Sequence, residues 1–226
     1  MSTGTLYLCG TPIGNLEDIT LRALRILKEV DLIAAEDTRV TQKILNYYQI
    51  KTQITSYHQH NRLKKGKYLI DLLQKGKNIA LVSDAGMPGV SDPGHDLVCL
   101  AIENKIPIVP IPGPTAILTA LVISGFPTRH FTFEGFLPSS RKKCRKLLKE
   151  LKEEERVMVF FESPHRILKS LNDILEIVGN RQIAVMRELT KKFEEVIRGS
   201  ISEVIDRFNL IPPKGELTIV LPGKKH

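Results

Sequence analysis

The stretch from Ile79 to Gly94, which reads IALVSDAGMPGVSDPG, constrains the fold of this chain most. Its first four residues are apolar and partly β-branched, which is typical of a short buried strand. Glycines and prolines then interrupt the chain twice, and Asp84 and Asp92 lie in the two interruptions. A tight strand-to-helix turn capped by Asp92 would need one such interruption. The pattern therefore favours a rigid ligand loop at the carboxyl end of a strand, where open α/β sheets bind ligands.

Two more turns rich in glycine and proline follow predicted strands. Residues 10–14 follow the strand predicted over residues 6–9, and residues 112–116 follow the strand predicted over residues 106–110. If these strands are parallel neighbours of the strand at Ile79, the three turns meet at one edge of one sheet. The convergence predicts a pocket for a small molecule without identifying that molecule.

Charged residues follow another predicted strand, which covers residues 31–35. Glu36, Asp37 and Arg39 come directly after it. Asp37 or Thr38 could cap the next helix, since acids are favourable near a helix N-terminus. Capping does not explain adjacent acidic and basic side chains together, so a structural and a functional role remain equally open here.

The second half of the chain is predicted to form a separate unit, with a linker near residues 125–129. The fold class is therefore α/β in two domains, residues 1–125 and residues 126–226. Residues 1–115 hold 13 Lys+Arg against 11 Asp+Glu, and residues 116–226 hold 20 against 14. This excess of positive charge, together with the cations at the start of a predicted helix over residues 141–153, favours a polyanionic partner for the second half.

Several function classes lack their sequence patterns. We find neither a P-loop nor a Gly-x-Gly-x-x-Gly turn, and no nucleophile elbow. The three cysteines have no metal-ligand spacing, so we expect no metal and a reducing, cytoplasmic setting. His58 and His60 open a predicted helix that runs to about residue 74, and they lack further ligands nearby. The prolines among residues 106–114 leave too short an apolar stretch for a membrane helix, so we expect no membrane partner.

Six stretches together resemble the bacterial small-subunit ribosomal RNA (cytidine-2'-O)-methyltransferases, which belong to the tetrapyrrole methylase fold group. They are residues 11–15, 35–39, 82–94, 112–116, 161–166 and 187–191. The resemblance implies two α/β domains with S-adenosylmethionine in the cleft between them, and a homodimer. The methyl acceptor would be the ribose 2'-hydroxyl of a cytidine in the decoding region, on naked rRNA or on the assembled small subunit.

The resemblance also implies which residues contact the methyl donor. They are Pro12, Gly14, Asp84, Ala85, Gly86, Met87, Pro88, Thr115, Ala116 and, from the second domain, Leu217. Met87 departs from the family pattern, where a small or hydroxylated residue is expected.

A ribose hydroxyl is a weak nucleophile, so its methylation needs a base or a polarising group beside it. The charged strand-end candidates are Glu36, Asp37, Arg39, Glu162, His165, Arg187 and Glu188. Our hypothesis is that Glu36 or Asp37 accepts or orients the hydroxyl proton, while Arg39 and Arg187 hold flanking phosphates.

Two alternatives are a tetrapyrrole C-methyltransferase of the same fold and a non-catalytic rRNA-binding assembly factor. An interdomain or dimer ion pair is an equally good interpretation of Glu162 and Arg166.

Overall fold

The computed structural model describes residues 3–224, and the chain divides into two compact units at Thr115 and Ala116. The first unit contains one sheet of five parallel strands in the order β3-β2-β4-β1-β5. The strands are β1 (Leu6–Cys9), β2 (Leu32–Ala35), β3 (Ile54–Ser56), β4 (Ile79–Val82) and β5 (Ile108–Ile111). The helices of this unit are α1 (Leu21–Glu29), α2 (Thr38–Tyr47), α3 (Arg62–Gln74) and α4 (Gly94–Glu103).

Helices cover both faces of the first sheet, which explains why all four residues of β4 are buried. Ala80 and Val82 pack with apolar residues of α1 and α2, whereas Ile79 and Leu81 pack with those of α3 and α4. Side chains along a strand alternate between the two faces, and each face meets its own hydrophobic cluster. The continuous apolar run at Ile79 thus forms a buried strand, as the sequence predicted, and the structure adds that this strand is central in a parallel sheet.

The second unit contains a mixed sheet in the order β6-β7-β10-β8-β9. Its strands are β6 (Phe131–Phe136), β7 (Val157–Glu162), β8 (Gln182–Arg187), β9 (Glu195–Ser200) and β10 (Leu217–Leu221). Its helices are α5 (Ala116–Ile123), α6 (Arg141–Leu151), α7 (Ile167–Val178) and α8 (Ile201–Leu210). Only β6 and β7 are parallel, and one face of the sheet packs against α6, α7 and α8.

The division between the two compact units lies ten residues before the predicted domain limit at residues 125/126. Helix α5 packs against β10, and the Arg198 guanidinium donates hydrogen bonds to the carbonyls of Ile123 and Ser124. These contacts hold α5 to the second sheet.

Strand β3 was not predicted from the sequence. The helix expected to open near Ser56 begins at Arg62 instead, and Ser56 ends β3. The Tyr57 amide continues the pairing with β2 through a 2.7 Å hydrogen bond to the Ala35 carbonyl. Three paired residues at the edge of the sheet are too few to show an alternating pattern in the sequence.

The basic helix α6 uses two of its cations within the second unit. Asp173 is 2% exposed, and its carboxylate binds Arg145 at 2.8 Å and Arg141 at 3.2 Å. The side chain of Arg141 is nevertheless 61% exposed, so it remains open to the expected phosphate contacts together with the lysines of this helix. Among residues 3–224, no helix is long and apolar enough to cross a membrane.

Candidate functional site

The turns after β1 and β4 are joined by hydrogen bonds at the carboxyl edge of the first sheet. Thr11 and Gly86 exchange two backbone hydrogen bonds, with N–O distances of 2.9 and 3.1 Å. The buried hydroxyl of Thr11 also donates to the Ser83 carbonyl at 3.1 Å. We did not single out Thr11 from the sequence, although its position between Gly10 and Pro12 at a strand end was a usable signal.

The turn after β5 lies against the other two. A Cβ atom on Gly10 would be 2.7 Å from the Cα atom of Gly113 and 2.8 Å from the Sδ atom of Met87. Gly86 has a φ of +82°, and a Cβ atom there would be 3.5 Å from the Pro114 carbonyl oxygen. Only glycine allows the close backbone approach at Gly10, and the positive φ of Gly86 also favours glycine. The three glycine- and proline-rich turns therefore meet at one edge, as the sequence predicted.

An acidic group lies at the same edge, where the turn after β2 meets the loop after β4. The Asp84 carboxylate accepts a 2.8 Å hydrogen bond from the Asp37 amide, and the Glu36 carboxylate accepts one of 3.4 Å from the Asp84 amide. Burial, and then the negative charge of Asp84, raises the pKa of Glu36 above its ordinary value. Burial is also the main cause of the raised pKa of Asp84.

Asp92 organises the loop between β4 and α4. Its carboxylate accepts hydrogen bonds from the Gly89 amide at 2.9 Å and the Gly94 amide at 2.6 Å. Gly94 is the first residue of α4, so Asp92 accepts a hydrogen bond from one of the backbone amides that have no partner within the helix. The N-cap position itself is Pro93. Burial raises the pKa of Asp92 as well.

Asp37 differs from Glu36 in both its contacts and its pKa. Its side chain caps α2 by accepting from the Arg39 amide at 2.8 Å, so the capping interpretation is confirmed. The Arg39 guanidinium also binds this carboxylate, with its shortest N–O distance at 2.6 Å. That hydrogen bond lowers the pKa of Asp37 to about 2. Arg39 itself is largely exposed.

The other residues expected to contact a methyl donor occupy varied environments. Pro12 and Pro88 are buried, Gly14 and Ala85 are exposed, and Met87, Thr115 and Ala116 are partly buried. Leu217 begins β10, and its side chain packs in the hydrophobic core of the second unit. Within the described part of the chain, no group of three or more His, Cys, Asp and Glu residues could hold a metal ion.

Arg187 and Glu188 lie at the end of β8 and bind other residues of the second unit. The Arg187 Nε atom donates to Glu195 at 3.1 Å. The Glu188 carboxylate accepts hydrogen bonds of 2.9 Å from both the Lys191 ammonium and the Glu216 amide. Burial alone would raise the pKa of Glu188, but these two donors outweigh it and leave the pKa below its ordinary value.

Glu162 and Arg166 form an ion pair within the second unit, with an N–O distance of 3.4 Å. Glu162 is 2% exposed and also accepts from the Ser170 hydroxyl at 2.6 Å and the Ser163 amide at 2.8 Å. Within the described chain, Glu162 and Arg166 therefore pair with each other inside the second unit. Glu162 is structural: it joins the end of β7 to the start of α7.

The fold and the joined turns agree with the comparison to known families. Residues 5–205 match the model of the Tetrapyrrole (Corrin/Porphyrin) Methylases, and the chain belongs to this family of methyltransferases.

Within the family, the chain is similar to three curated proteins named Ribosomal RNA small subunit methyltransferase I. The protein from Halalkalibacterium halodurans is 52% identical over 97% of this chain and 76% of its own length. The Thermotoga maritima protein is 52% identical over 98% of this chain and 100% of its own. The Bacillus subtilis protein is 50% identical over 99% and 76%.

Solved structures share the fold at lower identity. Uroporphyrin-III-C-methyltransferase from Thermus thermophilus superposes with a TM-score of 0.69 at 22% identity, covering 98% of this chain and 94% of the other. A cobalt precorrin-4 methyltransferase gives a TM-score of 0.70 at 17% identity, with 96% and 94% covered. At these identities the likeness establishes the architecture alone.

Proposed function

We propose that this chain is an S-adenosylmethionine-dependent methyltransferase that methylates the ribose 2'-hydroxyl of a cytidine in the decoding region of small-subunit rRNA. The observation that carries the proposal is the identity of about one residue in two, over nearly the whole chain, with relatives named Ribosomal RNA small subunit methyltransferase I. The resemblance of six sequence stretches to the (cytidine-2'-O)-methyltransferases supports the finer choice of atom and nucleotide.

The carboxyl edge of the first sheet suits the methyl donor in two respects. S-adenosylmethionine supplies an electrophilic methyl group on a positively charged sulfonium. Glu36, Asp84 and Asp92 concentrate negative charge at this edge, and a bound cation would relieve their mutual repulsion. The amides of Ala85 and Met87 make no hydrogen bond to another residue of the described chain and can donate to acceptor atoms of the ligand.

Glu36 is a better general base than Asp37. A base is most effective when its pKa lies near the working pH. Burial and neighbouring carboxylates raise the pKa of Glu36, whereas Arg39 lowers the pKa of Asp37 to about 2 and engages its oxygens. Glu36 would accept the proton of the 2'-hydroxyl, and Asp37 would fix the start of α2 and orient Arg39.

We also no longer assign a flanking phosphate to Arg187. Its Nε atom binds Glu195 and one terminal nitrogen contacts the Lys214 carbonyl at 3.4 Å, so its guanidinium is largely used within the protein. Arg39 is exposed and remains the better candidate for a flanking phosphate.

The test is transfer of a labelled methyl group to small ribosomal subunits that lack ribose methylation, followed by mapping of the linkage that resists alkaline cleavage. We expect one protected linkage, at a cytidine. Glu36→Gln should lower the transfer rate by roughly 10²- to 10⁴-fold. Asp37→Asn, the matched control, should lower the rate far less than Glu36→Gln, because asparagine also caps helices well and its amide oxygen can still accept a hydrogen bond from Arg39.

Three results would contradict the proposal in different ways. Transfer by Glu36→Gln at the wild-type rate would remove Glu36 as the base and leave the activity intact. Donor binding without transfer to subunits or naked rRNA would redirect attention to tetrapyrrole acceptors. No binding of S-adenosylmethionine would leave a non-catalytic rRNA-binding factor. Sedimentation velocity on the same preparations tests the homodimer that the resemblance implies.

A further inference from the structure

The loop between β8 and β9, residues 188–194, is held rigidly at the edge of the second sheet. The Lys191 amide donates to the Glu188 carbonyl and the Glu194 amide to the Lys191 carbonyl, both at 3.0 Å. Glu188 and Thr190 have φ values of +52° and +65°, which non-glycine residues adopt at a cost. The surrounding contacts therefore fix the loop in one conformation.

The cations in this loop and at its start divide into paired and unpaired ones. Arg187 binds Glu195, and Lys191 binds both Glu188 and Glu216 at 2.9 Å. Lys192 is exposed and has no ion-pair partner among residues 3–224. Its ammonium lies 5.6 Å from the ring centroid of Phe193. The free charge of the loop is thus adjacent to an aromatic ring.

Phe193 is the unusual residue of the loop, since it is 64% exposed. Two other exposed aromatic residues pack against a neighbouring ring, Tyr47 against Tyr48 at 4.9 Å and Phe136 against Phe161 at 5.5 Å. Tyr68 resembles Phe193 in having only a lysine ammonium near its ring, but it is less exposed, at 47%. For Phe193, no ring–ring contact exists within the described range. A fixed loop therefore presents an isolated ring to solvent.

We propose that Phe193 stacks on an unpaired RNA base and that Lys192 contacts the phosphate beside it. Single-stranded RNA is bound by aromatic rings that stack on splayed bases and by cations along the backbone. The excess of six positive charges over residues 116–226 complements such a polyanion. The inference rests on the proposed rRNA substrate and adds that the recognised nucleotides are unpaired.

The experiment compares four variants in two assays. The first assay measures kcat and KM for methyl transfer to unmethylated small subunits. The second follows binding of a short single-stranded oligoribonucleotide carrying 2-aminopurine, whose fluorescence falls when the base stacks. The variants are Phe193→Ala, Phe193→Leu, Phe193→Trp and Lys192→Ala, and both sites are exposed enough to leave folding intact.

We expect Phe193→Ala to weaken RNA binding and raise KM by roughly 10-fold, with little change in kcat. Phe193→Leu should behave like Phe193→Ala because leucine keeps apolar bulk but has no ring face. Phe193→Trp should bind RNA and quench the fluorescence as wild type does, because it keeps an aromatic face. The plot of log affinity against log salt has a negative slope, and Lys192→Ala should reduce the magnitude of that slope by about 0.7. Tyr47→Ala and Lys28→Ala are the matched controls, at an exposed aromatic residue and an exposed lysine of the first unit.

The two assays separate failure of this proposal from failure of the proposed function. Wild-type binding and KM in Phe193→Leu would overturn stacking. A changed sedimentation coefficient in Phe193→Ala with unchanged RNA binding would assign the ring to contact between copies of the chain, and would also overturn it. Phe193-dependent binding without methyl transfer would support the RNA contact and refute the methyltransferase activity on this substrate.

Discussion

Replacing Gly10 with alanine would place a methyl group between two turns at the edge of the first sheet. The new Cβ atom would lie 2.7 Å from the Cα atom of Gly113 and 2.8 Å from the Sδ atom of Met87. Carbon atoms in contact prefer separations of about 3.5–4.0 Å, so the turn after β5 must retreat by roughly 1 Å. The Met87 side chain can rotate away, but the Gly113 backbone has no such freedom.

The energetic cost of this retreat follows from the local contacts. The Gly10 amide donates to the Ile111 carbonyl at 3.1 Å, and separating the turns weakens that hydrogen bond. Overpacking costs about 1–3 kcal/mol, and a hydrogen bond contributes about 1 kcal/mol. We therefore expect the free energy of unfolding to fall by about 2–4 kcal/mol, which lowers Tm by roughly 4–15 °C for a chain of this size.

Calorimetry tests both stability and ligand binding. Differential scanning calorimetry should show the lowered Tm of Gly10→Ala, and titration calorimetry should show a Kd for S-adenosylmethionine at least about tenfold higher, which is about 1.4 kcal/mol. The double variant Gly10→Ala/Met87→Ala is the control, because it relieves the contact with Sδ alone. A wild-type Tm and Kd in Gly10→Ala, or full recovery in the double variant, would refute the argument from backbone contact.

Three further changes test other parts of the structure. If Glu36 is the base, the transfer rate should rise with pH through a pKa above the ordinary glutamate value, and Glu36→Gln should lack that rise. Because folding raises this pKa, the protonated form is favoured in the folded state, so stability is lost as pH rises through it and Glu36→Gln should be at least as stable as wild type at neutral pH. Asp173→Asn should cost about 1.5–3 kcal/mol in urea unfolding, since it weakens the contact with Arg145. Ser200→Ala should cost about 0.5–2 kcal/mol in the same assay, since it removes the capping box with Glu203 at the start of α8.

Local patterns in the sequence were sufficient for most of the fold. The apolar run at β4 predicted a buried strand. The glycine and proline turns that follow β1, β4 and β5 predicted a shared edge, on the condition that these strands are parallel neighbours. Local patterns did not predict how distant segments of the chain pack against each other. Helix α5 is apolar on all sides, with the sequence AILTALVI, so its composition does not say which sheet it packs against.

The contacts of the charged residues were even harder to predict from local sequence. Four cations in basic stretches cannot be distinguished by sequence: Arg145, Arg187, Lys191 and Lys192. Whether each one is free depends on acids far along the chain, such as Glu216, whose carboxylate lies 2.9 Å from the Lys191 ammonium across 25 residues of sequence. Only the folded chain therefore separates Lys192, which remains open to a partner, from cations that hold the protein together.

Glu36 and Asp37 are neighbours of the same chemical type, and no pattern in the sequence distinguishes a base from a cap. The fold separates them because Asp37 lies at the N-terminus of α2, where an amide and a guanidinium both donate to it. Glu36 lies under the loop after β4, where burial and Asp84 raise its pKa. Contact between the β2 turn and the β4 loop thus destabilises the charge of Glu36, whereas Arg39, two residues further along the chain, stabilises the charge of Asp37. It follows that a change in the β4 loop should alter the pKa of Glu36 without altering that of Asp37.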